Sequence, residues 1–279
     1  MNYGICNEHF TDGTLSQTVH ILADMCYDGV EITPWTVVDS PLEADRGTLS
    51  RVQETVENAG LDVIGVPRVF AAGDSEYHIG HPDASVRERT GRYLKSIVDL
   101  CAAIGGSVVI FGSPNQRSVP DGSDSTTIWR NAVETFSDAR LLERLEATDV
   151  TLCMEPISPA YTNFITTTAE AIEFAEAVGH PNIGVALDGF HLARESRPVT
   201  ECIRDASHHL KHFHSDGNTG KGAAEGTLEY GPILGALEEV GYDGYLSLEI
   251  HELIFDGEGS TLDPVDTARS SIEYLRSVS

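Results

Sequence analysis

Gly184 to His191 reads GVALDGFH, a short apolar run without helical period that breaks into an acid, a glycine, an aromatic and a histidine. A near-continuous apolar run of this length is how a strand reads when both its faces are covered, as in a parallel sheet. Asp188 would be its last residue, and His191 would follow in the loop. Two metal-competent side chains then stand at one end of a sheet, and that end is the expected active site.

Working outward, short apolar runs alternate with longer segments of helical period, the pattern of βα units. The strands expected are Tyr3 to Cys6, Gly29 to Ile32, Asp62 to Val66, Ser107 to Phe111, Val150 to Glu155, Ile183 to Asp188, Leu210 to His214 and Tyr245 to Ile250. Seven helical segments separate them and an eighth follows. Eight of each favours a (β/α)8 TIM barrel over an open doubly wound sheet. Thr14 to Cys26 carries Leu15, Val19 and Leu22 at helical spacing. Ala84 to Ile104 carries Val86, Tyr93, Leu94, Ile97, Val98 and Cys101 on one face, then stops at Gly105 and Gly106. No linker divides the 279 residues, so residues 1–279 read as a single domain. The longer loops follow strands three, four, five and seven, at the carboxyl ends where barrel enzymes build their sites.

Four strands end in a metal-competent side chain: Glu155 after TLCM, Asp188 after GVAL, His214 after LKHF and Glu249 after LSL. Neighbours in a strand point to opposite faces. If these four face the lumen, Met154, Leu187, Phe213 and Leu248 must face the helices, and all four are large and apolar. Two residues back, Cys153, Ala186, His212 and Ser247 would line the next lumen layer. A lone acid at a strand end is equally explained as a helix cap. Three carboxylates converging would repel one another, so something positive belongs among them. Hard oxygen ligands with one imidazole suit one divalent ion, Mn²⁺ first, with Mg²⁺, Co²⁺ or Zn²⁺ as weaker candidates.

Asp plus Glu number 44 against 18 Lys plus Arg, a net charge of −26 spread along the chain. Such a surface repels phosphate backbones, and no basic patch offsets it, so nucleic acid is a poor partner. A dispersed acidic surface suits solubility in high salt, where self-repulsion is screened. A halophilic source is therefore expected; unfolding midpoints indifferent to molar salt would dismiss it. The five cysteines form no CxxC pair and read as reduced thiols in a cytoplasm. No apolar run approaches the ~18 residues of a membrane span, and the opening MNYGICNEHF has no signal pattern, so no membrane association is expected.

From YGICNEHF through DGVEITPW to GYDGYLSLEI, nearly the whole chain resembles the xylose isomerase-like barrels grouped as sugar phosphate isomerases/epimerases, in particular the D-tagatose 3-epimerase type. In that type a Glu, an Asp, a His and a Glu from strands five to eight bind one Mn²⁺, and a His follows the Asp three residues on. The resemblance assigns those places to Glu155, Asp188, His214 and Glu249, with His191 as the extra histidine. It implies a small-molecule sugar substrate and proton transfer through a metal-bound enediolate, with Glu155 and Glu249 as the acid/base pair and His191 bonded to a substrate oxygen. A homo-oligomer, dimer or tetramer, is compatible with it. The sugar grip departs from that type: Glu155 leads into PISPAYTNF, and HSDGNTGKG follows strand seven without the expected Arg. A keto-cyclitol dehydratase or an aldose–ketose isomerase on the same metal site, and a non-catalytic sugar-binding relative, therefore stay open. The abasic-site endonucleases that share the barrel need further metal-binding histidines, which FGSP at the end of strand four does not supply.

Outside the metal set, Glu8 and Glu31 fall near the ends of strands one and two, where they could bond sugar hydroxyls. Arg117 in GSPNQR could bind a substrate carboxylate or phosphate through its planar fork. Lys221, in GNTGKGAAEG, is a second candidate cation, although the segment lacks the ending of a phosphate-binding P-loop. His251 keeps the parity of Glu249 and is expected to touch substrate.

Overall fold

Each of the eight apolar runs forms a strand: β1 (Asn2–Cys6), β2 (Gly29–Glu31), β3 (Asp62–Val66), β4 (Val108–Phe111), β5 (Thr151–Met154), β6 (Ile183–Asp188), β7 (Leu210–Ser215) and β8 (Tyr245–Leu248). The computed structural model describes residues 1–71, 73–255 and 259–279. Every strand pairs in parallel with its neighbour in sequence, and β8 pairs with β1 to close an eight-stranded barrel. β5 and β8 stop one and two residues short of the expected ends, so Glu155 and Glu249 stand just past the ladder. Glu155 still continues its pairing, its N–H donating to the Phe111 carbonyl at 3.2 Å.

The helices are α1 (Leu15–Asp24), α2 (Arg46–Asn58), α3 (Ala84–Ala103), α4 (Ser125–Phe136), α5 (Ala139–Thr148), α6 (Thr168–Val178), α7 (Gly189–Leu192), α8 (Val199–Ala206), α9 (Tyr230–Glu239), α10 (His251–Phe255) and α11 (Pro264–Ser277). Eight were expected. The β4–β5 crossover is split where Asp138 caps α5, accepting from the Arg140 and Leu141 amides at 3.0 and 3.3 Å. The short α7 follows directly on β6 and carries His191, and α10 follows β8 after two intervening residues and carries His251. α3 shows how the outer layer is held. Asp83 accepts the Ser85 amide at its start, and Tyr93, Leu94, Ile97, Val98 and Cys101 are buried along one face, each contributing about 1.5–3 kcal/mol when fully removed from water. Among the described residues no helix is long and apolar enough to cross a membrane.

The expected strand parity holds. Met154, Leu187, Phe213 and Leu248 pack in the large cluster between barrel and helices. Cys153 and Ala186 join Ile64, Val108 and Ile110 in a separate small cluster inside the barrel. The two apolar layers meet across the backbone, so a one-residue slip of any strand would exchange them. That constraint fixes which side chains reach the lumen.

Candidate metal and substrate site

β6 delivers Asp188 directly opposite His214 of β7, and His214 is opposite Ser247 of β8, two residues before Glu249. Glu155 and Glu249 rise from the ends of β5 and β8 on either side of this pair. Glu155, Asp188, His214 and Glu249 each offer a ligand atom, and these atoms all lie within 4.8 Å of one another, every residue buried. His214 Nδ1 is 3.0 Å from Glu249 Oε2 and 3.9 Å from Glu155 Oε1. Asp188 Oδ1 accepts the His191 amide at 3.0 Å and so caps α7, while its Oδ2 is left over. Two glycines permit the approach. A Cβ on Gly112 would collide with Glu155 Oε2, and one on Gly189 would stand 2.5 Å from Tyr230 Oη and 2.9 Å from the Asp216 carbonyl.

These donors fit a cation. Glu155 Oε1, Asp188 Oδ2 and His214 Nδ1 are buried polar atoms without a hydrogen-bond partner, a costly condition in a folded interior unless an ion takes them up. Three carboxylates also outnumber the single imidazole. Burial, with Glu155 and Glu249 repelling, pushes the Asp188 carboxyl up to about 8, against the pull of His251. Burial opposes charge on Glu249 too, but His214 outweighs it and holds the carboxyl down at about 2. Glu249 and Glu31 raise His214 well above the usual imidazole range despite its burial.

Glu31 was expected to meet sugar hydroxyls, and its inward parity is right, but its depth is not. It is 0% exposed. His214 Nε2 lies 3.1 Å from its Oε2, His212 Nε2 3.3 Å from its Oε1 and Cys6 Sγ 3.4 Å from its Oε2, and Ser247 Oγ donates to it. Burial works against its charge, and the two histidines hold the carboxyl well below its ordinary range. With Nε2–H directed at Glu31, His214 turns Nδ1 toward the ligand set, the arrangement by which a second carboxylate fixes a metal-binding imidazole.

Above the set opens a cavity of about 480 Å³ bordered by Glu155, Glu249, His191 and His251. Broader concavities of about 610 and 750 Å³ lie elsewhere on the surface, away from these carboxylates. His251 and His191, both expected here, meet with their Nε2 atoms 3.3 Å apart. His191 Nδ1 accepts the Ser158 amide at 3.3 Å, and His251 Nδ1 is 2.9 Å from Asp216 Oδ2. Any substrate oxygen must share nitrogens that already have protein partners. Burial, then the neighbouring His251, hold His191 well below the usual imidazole range. Burial also opposes protonation of His251, but Asp188, Asp216 and Glu249 raise it to about 9. Asp216 went unread in the sequence because it lies past β7 with no periodic signal of its own.

The other expected contacts lie elsewhere. Arg117 is 0% exposed and donates to the Glu155 carbonyl at 2.6 Å, so it anchors the end of β5 from behind and is shut off from substrate. Lys221 lies outside the cavity lining, paired with Glu252 at 3.6 Å. Glu8 is also absent from the lining; Arg68 Nη1 donates to its Oε2 at 2.9 Å. The cation that does line the cavity is Arg68, which the sequence reading passed over.

Residues 19–278 match the family model described as xylose isomerase-like TIM barrel, and the chain belongs to that family. An L-ribulose 3-epimerase of Mesorhizobium japonicum is 28% identical over 242 residues, 84% of this chain and 75% of the relative. A D-psicose 3-epimerase of Ruminiclostridium cellulolyticum is 26% identical over 191 residues, 66% of this chain and 64% of the relative, so the match spans slightly less than two thirds of that protein. Among solved structures, D-psicose 3-epimerase with D-tagatose from Clostridium cellulolyticum superposes with a TM-score of 0.84 over 100% of this chain and 99% of the other, at 19% identity. That likeness is one of fold.

Proposed function

We propose that the chain is a divalent-metal-dependent sugar epimerase or isomerase that moves a proton at the carbon beside a ketose carbonyl. The observation that carries this is the double placement of Glu155 and Glu249: both belong to the metal-competent set and both open onto the cavity. Relatives named as ketose 3-epimerases support the substrate class. Glu155, Asp188, His214 and Glu249 would hold the ion, and three carboxylates with one imidazole suit Mn²⁺ ahead of Mg²⁺, Co²⁺ or Zn²⁺. A bound divalent ion supplies Lewis acidity to a substrate carbonyl and its adjacent hydroxyl.

The chain's own groups do the rest. Glu155 and Glu249, from strands three positions apart around the ring, face the cavity from two sides, so one carboxylate removes a proton and the other returns one to the opposite face. Arg117 fixes the backbone of Glu155 and Glu31 fixes His214, which keeps both ends of the set in place. His191 and His251 border the same space and are positioned to bond substrate oxygens by sharing their present hydrogen bonds.

Incubation of a ketose panel with Mn²⁺ in D₂O should place deuterium on the carbon next to the carbonyl, seen by NMR, with an epimer as product. An aldose or a dehydrated product would shift the reaction to isomerase or dehydratase with the proton abstraction intact. Tight metal binding with no exchange across the panel would overturn the reading.

A further inference from the structure

Arg68 is the only Arg or Lys bordering the cavity among the described residues. Its guanidinium is held on three sides: Cζ lies 5.3 Å from the ring centre of Trp35 and 5.3 Å from that of Phe255, and Nη1 donates to Glu8 Oε2 at 2.9 Å. Two aromatic faces and one acid fix a planar fork with little rotamer freedom left to lose. Among the described residues only the Nη1 bond is made to protein, which leaves Nε–H and the Nη2 hydrogens as donors on a side chain that lines the cavity and is 21% exposed. Glu8 offsets this charge incompletely, since burial pushes its carboxyl up to about 7 even beside the arginine.

We propose that Arg68 is a substrate-selecting residue, and that the preferred ketose carries an acidic group, a carboxylate or a phosphate, elsewhere on the molecule. This deepens the epimerase reading and rests on it. A neutral hydroxyl would use one donor of the fork, whereas a carboxylate or phosphate takes two in parallel and meets the charge as well. The expected anion grips, Arg117 and Lys221, are buried behind β5 and turned to Glu252 respectively, so of the described Arg and Lys residues Arg68 is the one left for the task. Against an overall charge of −26, a fixed cation beside the cavity stands out as a local attraction for an anion.

The test is calorimetric binding, with Mn²⁺ present, of D-fructose, D-fructose 6-phosphate and D-fructuronate to the full chain, followed by D₂O exchange on the same samples. At least one acidic ketose should bind about 10–100-fold more tightly than fructose, the scale of a charge-assisted pair, and which one does so separates phosphate from carboxylate. Arg68→Met keeps the apolar stem and should erase the preference, read as the ratio of acidic-ketose to fructose affinity falling to near one. Arg68→Lys, with charge but no fork, should retain part of it. Equal binding of all three by the unaltered protein, or a preference that survives Arg68→Met in a protein with an unchanged melting profile, would overturn the assignment. Because binding is read apart from exchange, acid-selective binding without exchange would instead count against the epimerase reading, and exchange with no acid preference would sink only the role of Arg68.

Discussion

From β3 to β6 the lumen is filled by Ile64, Val108, Ile110, Cys153 and Ala186, whereas from β7 through β8 and β1 to β2 it holds His212, His214, Ser247, Cys6 and Glu31. Both sides are buried, yet they are held by different forces. The apolar side gains from area and close packing and is indifferent to orientation beyond shape. The polar side gains little from burial and must satisfy every donor and acceptor, which makes each member directional. The lesson is that the ligand set stands over both, but its imidazole stands over the directional side. A barrel filled evenly with aliphatic residues would be a stable scaffold with nothing to aim His214.

On the apolar side, Ile110→Ala should lower unfolding free energy by about 2–5 kcal/mol in urea, as for other large-to-small core changes, while metal affinity stays within error. A loss of metal binding in that variant would mean that the two sides are not separable. Next comes acid. His9 Nε2 lies between the Leu248 carbonyl at 3.3 Å and the Ile250 amide at 3.2 Å, bracketing Glu249, and burial lowers its pKa from 6.5 to about 4. The unfolded chain therefore binds more protons between those values, so the contribution of His9 is complete above pH 6.5 and is lost as pH falls toward 4. The loss should be on the order of 3 kcal/mol, seen as a stability difference from His9→Gln that shrinks across that window; a difference flat with pH would remove the account of His9. On the polar side, Glu31→Gln should weaken Mn²⁺ binding about 10–100-fold by removing the carboxylate behind His214. Unchanged affinity in that variant would reduce Glu31 to filling. Smallest is the effect of salt: with Asp plus Glu at 44 against 18 Lys plus Arg, molar KCl should raise the unfolding midpoint by screening self-repulsion, and indifference would dismiss the halophilic expectation.

How much of this was legible in the sequence follows from which constraints are local. Strand positions and the convergence of Glu155, Asp188, His214 and Glu249 were readable because alternation along a strand leaves two faces, and Met154, Leu187, Phe213 and Leu248 mark the outer one. Depth was not. Glu31 and Glu249 share an inward parity, but one lies beneath His214 and the other opens on the cavity, a distinction set by barrel stagger. Loop residues were harder still: Arg117 and Lys221 are cations with plausible positions in sequence, yet the path of each loop turns one behind β5 and the other toward Glu252. Arg68 and Asp216 carry no periodic mark, and only tertiary packing brings them to the cavity and to His251. The short helices α7 and α10 were missed because four or five residues are too few to show a helical period.

The central claim is that Glu155 and Glu249 exchange protons with a ketose held between them. The most direct measurement follows deuterium incorporation from D₂O into an accepted ketose, with Mn²⁺, by the unaltered chain and by Glu249→Gln at matched metal occupancy. The account predicts loss of exchange by about 10²–10⁴-fold in the variant, with melting and circular dichroism essentially unchanged. Exchange at an undiminished rate in a folded, metal-loaded Glu249→Gln protein would contradict it.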